Sequence, residues 1–427
     1  METKIIYRTP VGNPERKYRQ DKFIISTFKA KTEHVRRGIE LCKELGFNMV
    51  EFGWVNPEES FQCITACEET GLDGIFQNWD FFGGFQESKG KVKVDIDKLK
   101  AYIAYTKKFR HVAGYYVWDE PLEEDKIQAA AEQVALMEAL DPERLPFTVA
   151  IPSYNTMKTW KNQLFEGYLR QYTEVIKPAV LSLDYYPFRP HRVADGQQLD
   201  DSELFLDIAL LRRLSLEKNI PMWFYFQTLD SPPTCGYEKL TPEQVRVQQY
   251  NALLHGAKGL QNYNVYNGAI MEDSTRGPLF YFTKDINYRC HQLGKTFMAL
   301  TSVGIYHAPE VLRNHPAFDA YRESTKDSKV LAAKDLPFRC SVGEFEDIEG
   351  NRYLFVQNRD IYESRNFDLE LKDTFRIYEV SQEDGMQFVR EEAADHLEVK
   401  LCPGDAVLLR LQPAEEKAYL IDYVLQK

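Results

Sequence analysis

Histidine is scarce in this chain, eight in 427 residues, and none stands where the strand-like runs described below end. Metal-dependent hydrolases and isomerases usually need imidazole ligands, so a metal site is not expected, although carboxylates alone can hold Mg²⁺. H-E-x-x-H, G-x-S-x-G and Walker sequences are absent, and "FFGGF" lacks the partners of a nucleotide loop, so no cofactor is expected either. The seven cysteines (Cys42, Cys63, Cys67, Cys235, Cys290, Cys340, Cys402) are odd in number and form no C-x-x-C pair, the pattern of reduced thiols. Cys63 and Cys67 lie one helical turn apart and read as helix packing, because no second pair or nearby histidine completes a zinc site. No apolar run approaches the ~18 residues of a membrane span, and "METKIIYRTPVGNPERKYRQ" lacks the apolar stretch of a signal peptide. The expectation is a cytoplasmic protein with no membrane partner, or a secreted one trimmed of its leader. Positive charge is short too: 53 Lys and Arg against 65 Asp and Glu give a net charge of −12. Nucleic-acid binding draws its affinity from cationic side chains on phosphates, so nucleic acid is not expected and neutral or cationic ligands fit better. A homo-oligomer is compatible with this composition.

What the chain does have is apolar and aromatic surface, 44% and 13% of its residues, with 28% charged, enough for a large core. Its length suits a barrel of ~250 residues plus a smaller domain. Eight extended runs recur: "KFIISTF", "NMVEFGW", "LDGIFQNWD", "VAGYYVWDEP", "PFTVAIPSYN", "AVLSLDYYPF", "PMWFYFQTLD" and "GLQNYNVY". Between them lie stretches of helical period such as "TEHVRRGIELCKEL" and "KIQAAAEQVALMEAL". Units of ~25 to 40 residues are those of βαβ crossovers, and eight of them predict an α/β fold, a (β/α)8 TIM barrel, with a doubly wound sheet as the alternative. Helix ends are marked by "LTPEQV", with Thr241 as cap and Pro242 as first helical residue, and by Gly after "EL" and "ET". From about residue 310 short alternating runs take over ("FRCSVGEFED", "NRYLFVQNRD", "FDLELKD", "FRIYEV", "LEVKLCPGDAVLLRL") and predict an antiparallel β-sandwich. The expected domains are a catalytic or glycan-binding barrel, 1–305, and an all-β accessory domain, 306–427.

In such barrels the active site lies at the carboxyl ends of the strands. Polar residues there are Glu51 and Trp54; Gln77, Asn78, Trp79 and Asp80; Asp119 and Glu120; Ser153, Tyr154 and Asn155; Asp184, Tyr185 and Tyr186; Gln227 and Asp230; and Asn262, Tyr263, Asn264 and Tyr266. This is a bowl of carboxylates, amides and rings. Aromatic faces pack on the apolar faces of sugar rings, and a carboxylic acid kept protonated by apolar walls can protonate a glycosidic oxygen. The expected partner is a carbohydrate substrate, with Glu51, Trp54, Asn78, Trp79, Trp118, Tyr154, Tyr186, Gln227, Asp230 and Tyr263 binding it. Trp54, Trp79 and Trp118 serve equally well as core.

The stretch "GYYVWDEP" (114–121) carries the sharpest signal. A strand ending Asp-Glu-Pro also reads as a plain turn, but Glu120 shares strand parity with Tyr116 and Trp118, and Pro121 is expected to restrain its backbone. "WDEP" looks like the Asn-Glu-Pro signature of the clan A glycoside hydrolases, retaining (β/α)8 enzymes that include β-galactosidases, and the chain resembles bacterial glycosidase-like proteins of that type. "LDYYP", "HGAKGLQNYNVY" and the β-rich tail fit the same pattern. The resemblance implies Glu120 as general acid/base and Asp119 in the place of the clan's Asn, bonding the substrate's 2-hydroxyl.

One position departs from the clan. Its nucleophile is a Glu ending the seventh strand, where "WFYFQTLD" places Gln227, and an amide cannot serve. Three readings follow: a hydrolase using Asp184, Asp230 or Glu51, in that order, as second carboxylate; substrate-assisted hydrolysis by a 2-acetamido group, of N-acetylhexosaminidase type, with Asp119 and Glu120 orienting it and protonating the leaving group; or a carbohydrate-binding barrel that has lost catalysis. A partner carboxylate about 5 Å from Glu120 would favour retention, and one at roughly 6.5 to 9.5 Å inversion.

Overall fold

Extended apolar and aromatic runs joined by helices must bury both faces of a parallel sheet, and closure into a barrel does this without leaving an edge. In the computed structural model, which describes residues 1–28, 34–53, 55–78, 80–81, 94–156, 165–188, 198–228, 240–265, 268–312, 314 and 316–426, that closure is complete. After an N-terminal strand β1 (Glu2–Arg8), the chain runs β2 (Ile24–Phe28), α1 (Val35–Glu44), β3 (Met49–Phe52), α2 (Pro57–Thr70), β4 (Asp73–Phe76), α3 (Ile96–Thr106), β5 (Val112–Asp119) and α4 (Glu124–Leu140). It continues with β6 (Leu145–Ala150), the short α5 (Ser153–Thr156), α6 (Phe165–Ile176), β7 (Leu181–Asp184), α7 (Ser202–Lys218), β8 (Met222–Gln227), α8 (Pro242–Leu254), β9 (Gly259–Tyr263) and α9 (Phe280–Phe297). Strands β2 to β9 pair in parallel around a closed barrel, β9 returning to β2.

The caps read from sequence do their expected work. Thr241 accepts from the Gln244 N–H while the Gln244 side chain accepts from the Thr241 N–H, a reciprocal box with Pro242 inside it. Alternate strand residues divide the core. Ile24, Met49, Tyr116, Phe147, Trp223 and Tyr225 form a cluster inside the barrel, while Ile25, Val50, Phe76, Leu183 and Phe224 pack outward against the helices. Gly259 is forced by the first of these: a Cβ there would lie 2.5 Å from the Trp223 ring, whose Nε1 donates to Gln20 Oε1 at 2.9 Å and plugs the barrel's amino-terminal end.

The C-terminal β domain is a six-stranded antiparallel sheet in the order β10 (Thr301–His307), β11 (Cys340–Glu346), β12 (Arg352–Asn358), β15 (Ala406–Pro413), β13 (Arg365–Val380), β14 (Gln387–Leu401), with a core of its own. Its first strand starts at Thr301, just after α9 stops at Phe297 with its cap at Met298. The runs "FDLELKD" and "FRIYEV" are one strand, β13. The last strand, β16 (Tyr419–Leu425), lies parallel to β1, so the two ends of the chain meet.

Two contacts fasten this sheet to the loop that leaves β7. Gln198 donates to Asp360 Oδ1 at 2.9 Å and accepts from the Ile361 N–H at 3.1 Å. The fully buried Arg359 reaches Asp200 at 3.3 Å and donates to the Ala308 and Pro309 carbonyls, both at 2.9 Å. Buried carbonyls stripped of their donor are costly. Arg359→Ala should therefore lower unfolding free energy by roughly 3 kcal/mol in a denaturant titration; a loss below ~1 kcal/mol would mean that the clamp is not structural.

Candidate active site

The site is made by an irregularity in β5. Pairing with β6 shifts register between Tyr116 and Trp118, so the inside/outside alternation breaks there. Val117 and Trp118 both pack into the helix-side core, and Trp118 is 4% exposed. This corrects the parity read from sequence, and Trp118 is a core residue instead of a sugar platform. Asp119 is returned to the interior, where its Oδ1 accepts from Tyr116 Oη at 2.9 Å. Glu120 follows with φ at +47°, a region rarely adopted by a side-chain-bearing residue. The expectation that Pro121 would hold it extended does not hold. Its N–H still reaches the Val149 carbonyl at 3.2 Å, anchoring the turn to β6.

The turn brings Glu120 to Asp184 at the end of β7, and their side chains share a hydrogen bond. Asp184 is 7% exposed. Burial, then the charge of Asp119, push its pKa up to about 7, against bonds from Tyr186 and Glu120 that pull it down. A bond between two carboxyls needs a proton, which the pair holds in common. The Oδ1 of Asp184 has no hydrogen-bond partner.

A second carboxyl lies deeper. Glu51, on β3, is fully buried; its Oε1 accepts from Ser26 Oγ and, at 2.8 Å, from Gln261 Nε2, while its Oε2 has no partner. Gln261 in turn accepts from Ser182 Oγ at 2.5 Å, so a polar chain crosses the barrel from β7 to β2. Desolvation lifts Glu51 to about 7, opposed by the two hydrogen bonds and aided by Asp119. The Tyr116 phenol stays protonated: burial, then the charges of Asp119 and Glu51, raise its pKa. Above the carboxyls Tyr186 and Tyr263 stack, centroids 4.8 Å apart at 26°, and Tyr263 leans on Phe28 at 5.6 Å.

The structure thus gathers Glu51, Asp119, Glu120, Asp184, Tyr186 and Tyr263 at one mouth. Other expected residues lie apart from it. Gln227 is fully buried, its amide donating to the Phe188 carbonyl at 3.0 Å and accepting from the Phe188 N–H at 3.1 Å, so it braces the loop after β7. Asn78 is buried and turns its side-chain oxygen to the Asp80 N–H at 3.0 Å. Tyr154 packs on the outward-facing Tyr185, centroids 5.1 Å apart. Trp54, Trp79 and Asp230 lie outside the described residues. Residues that strand-end reasoning passed over are Ser26, Tyr116, Tyr225 and Gln261, which sit one layer below; their signal was inward parity. Among the described residues no cluster of His, Cys, Asp or Glu is shaped to hold a metal ion, and no helix is long and apolar enough to cross a membrane.

Fold and site together define a class: a (β/α)8 barrel with a C-terminal β sheet, the architecture of the clan A glycoside hydrolase barrels that the sequence resembles. A glycoside hydrolase family 5 protein from Bacteroides vulgatus superposes with a TM-score of 0.56 at 11% identity, over 97% of this chain and 96% of its own. A family 27 β-L-arabinopyranosidase from Geobacillus stearothermophilus does so with 0.51 at 9%, over 93% and 98%. No protein-family model and no curated protein matches the chain. At such identities the likeness is one of fold, and function must be argued from the site.

Two outcomes follow from the buried groups. Glu51 and Asp184 have native pKa values above their ordinary ones, so the folded state holds more protons than the unfolded one between about pH 4 and 7. Their contribution to stability is full below that window and lost as pH rises through about 7. Glu51→Gln should then match the wild type at pH 5 and exceed it at pH 8, by up to roughly 3 kcal/mol in urea denaturation; equal stability at pH 8 would contradict the burial of an ionising Glu51. Gln227→Glu, by contrast, sets a carboxylate against the Phe188 carbonyl and should destabilise by about 1 to 3 kcal/mol without creating activity. A gain of glycosidase turnover in that variant would show that the side chain reaches the mouth.

Proposed function

We propose that the protein is a retaining glycoside hydrolase in which Asp184 is the nucleophile and Glu120 the general acid/base. The observation that carries this reading is the hydrogen bond between the two carboxyls, with a second oxygen of Asp184 left unpartnered. Carboxyls in bonding contact stand on the close side of the ~5 Å arrangement that serves retention and leave no room for the water of the ~6.5 to 9.5 Å inverting one. A glycoside entering between them would place its anomeric carbon by Asp184 Oδ1 and its glycosidic oxygen by Glu120. Attack by the carboxylate forms the glycosyl ester as the C–O bond to the leaving group breaks, and Glu120 passes its proton to the departing oxygen. Glu120, now ionised, takes a proton from water as the water's oxygen displaces Asp184 and frees the sugar. Asp119, held by Tyr116, would accept from a sugar hydroxyl, and the stacked Tyr186 and Tyr263 would offer a face to the ring.

A second reading, a carbohydrate-binding barrel without turnover, draws support from Gln227, an amide braced against backbone where clan A carries its nucleophile.

Leaving-group dependence separates the two. Glu120→Gln should lose most activity, ~10²-fold or more, on alkyl glycosides that need proton donation and much less on activated aryl glycosides. In the wild type kcat/KM should rise as pH passes about 7 and Asp184 ionises, and fall again where Glu120 loses the proton it must donate. Equal losses on both substrate types would remove Glu120 from the acid's role, and glycan binding with no turnover of either would leave the second reading.

A further inference from the structure

Beside the reacting pair, two buried polar atoms have no partner and no role in the steps above: the Tyr225 hydroxyl and Glu51 Oε2. Tyr225 is 2% exposed and lies on the inner face of β8, within the cluster that fills the barrel. Its neighbours bring the two atoms to the same part of the barrel. Tyr225 stands in register with Asp184 on β7 and with Gln261 on β9, and the Gln261 amide holds Glu51. Phe147 and Trp223, ring centroids 5.9 Å apart, fill the barrel beneath them, so a ligand would reach the two atoms from the mouth.

Buried phenols normally find a partner. Other buried phenols of the barrel domain do: Tyr116 bonds Asp119, Tyr168 the Pro121 carbonyl, Tyr172 the Thr148 hydroxyl and Tyr185 Asp201. The chemistry of the orphaned pair is specific. A neutral phenol presents a donor and a carboxyl oxygen presents an acceptor, and the group that satisfies both at once is a hydroxyl, which accepts one hydrogen bond and donates another. An anionic substituent is disfavoured beside Glu51, Asp119 and Asp184.

We propose that Tyr225 and Glu51 form a hydroxyl-binding hole at the floor of the mouth, which selects a neutral sugar by one ring hydroxyl directed into the barrel. The inference rests on the glycoside-hydrolase reading and adds to it a specificity determinant. A site built to bond a hydroxyl discriminates against the sugar that lacks it, because the buried partners are then left unpaired.

The test pairs one substitution with a set of substrates. kcat/KM is measured for wild type and Tyr225→Phe on 4-nitrophenyl hexopyranosides and their monodeoxy analogues. On the parent sugar Tyr225→Phe should lose about 10-fold. At one deoxy position the wild type should lose a similar factor and the substitution should then have no further effect, the non-additivity that marks a direct contact. Because the hydroxyl has no protein partner, the thermal midpoint of Tyr225→Phe should equal that of the wild type. Additive losses at every position, or unchanged kinetics with a lowered midpoint, would overturn the hole and make the phenol structural. If the wild type cleaves none of these compounds, the hydrolase reading fails by itself, and the hole is read by saturation-transfer NMR on methyl hexopyranosides and their monodeoxy forms. The same non-additivity in affinity would keep it, and its absence would end it.

Discussion

Everything at the mouth of this barrel depends on the energy of holding carboxyl groups where water cannot reach them. A closed parallel barrel fills its interior with side chains, and an ionised carboxylate there lacks the hydration it had in the unfolded chain. The molecule answers in three ways. Glu51 takes two donors on one oxygen, Asp119 takes the Tyr116 phenol, and Asp184 shares a proton with Glu120. None of these fully offsets burial, so Glu51 and Asp184 both titrate near neutrality. An imbalance of this kind is what the proposed acid and nucleophile chemistry needs from carboxyls that would otherwise be ionised at pH 7.

The proton-sharing pair exists because β5 is irregular. A regular strand would point Trp118 into the barrel and Asp119 out toward the helices. The register shift after Tyr116 puts Val117 and Trp118 together on the helix side and turns Asp119 inward. The positive φ of Glu120 then directs its carboxyl to β7. Backbone strain of this kind costs on the order of 1 kcal/mol or more and persists only where surrounding structure holds it. Here the holders are the Glu120 N–H on Val149 and the Tyr168 hydroxyl on the Pro121 carbonyl.

The C-terminal sheet belongs to the same economy of support. The loop that follows Asp184 is braced from one side by Gln227 on β8 and from the other by Gln198 and Asp200 on the sheet's Asp360, Arg339 and Arg359. Tyr185, next to Asp184, is tied to Asp201 at 2.7 Å. An amide at the end of β8 thus steadies the strand that carries the proposed nucleophile, a mechanical role in place of a chemical one.

By itself the sequence determined the architecture: extended apolar runs alternating with capped helices admit few closed arrangements, and the caps at Thr241 and after Thr70 stand where the residues put them. The acidic pair Asp119 and Glu120, the Tyr186 and Tyr263 rings, and the candidacy of Asp184 and Glu51 were legible as polar or aromatic residues at strand ends. Which of them face each other was not, because parity is a rule about regular strands and the decisive step in β5 breaks it. The same holds for Trp118, Asn78 and Gln227, whose side chains are claimed by helix packing, a turn and a neighbouring backbone. The meeting of β1 with β16 was equally hidden, since neither strand carries a distinctive pattern and the partner of each lies at the other end of the chain. Tertiary structure decided these points because burial and hydrogen-bond partners belong to pairs of residues, and a linear pattern describes only one member of each pair.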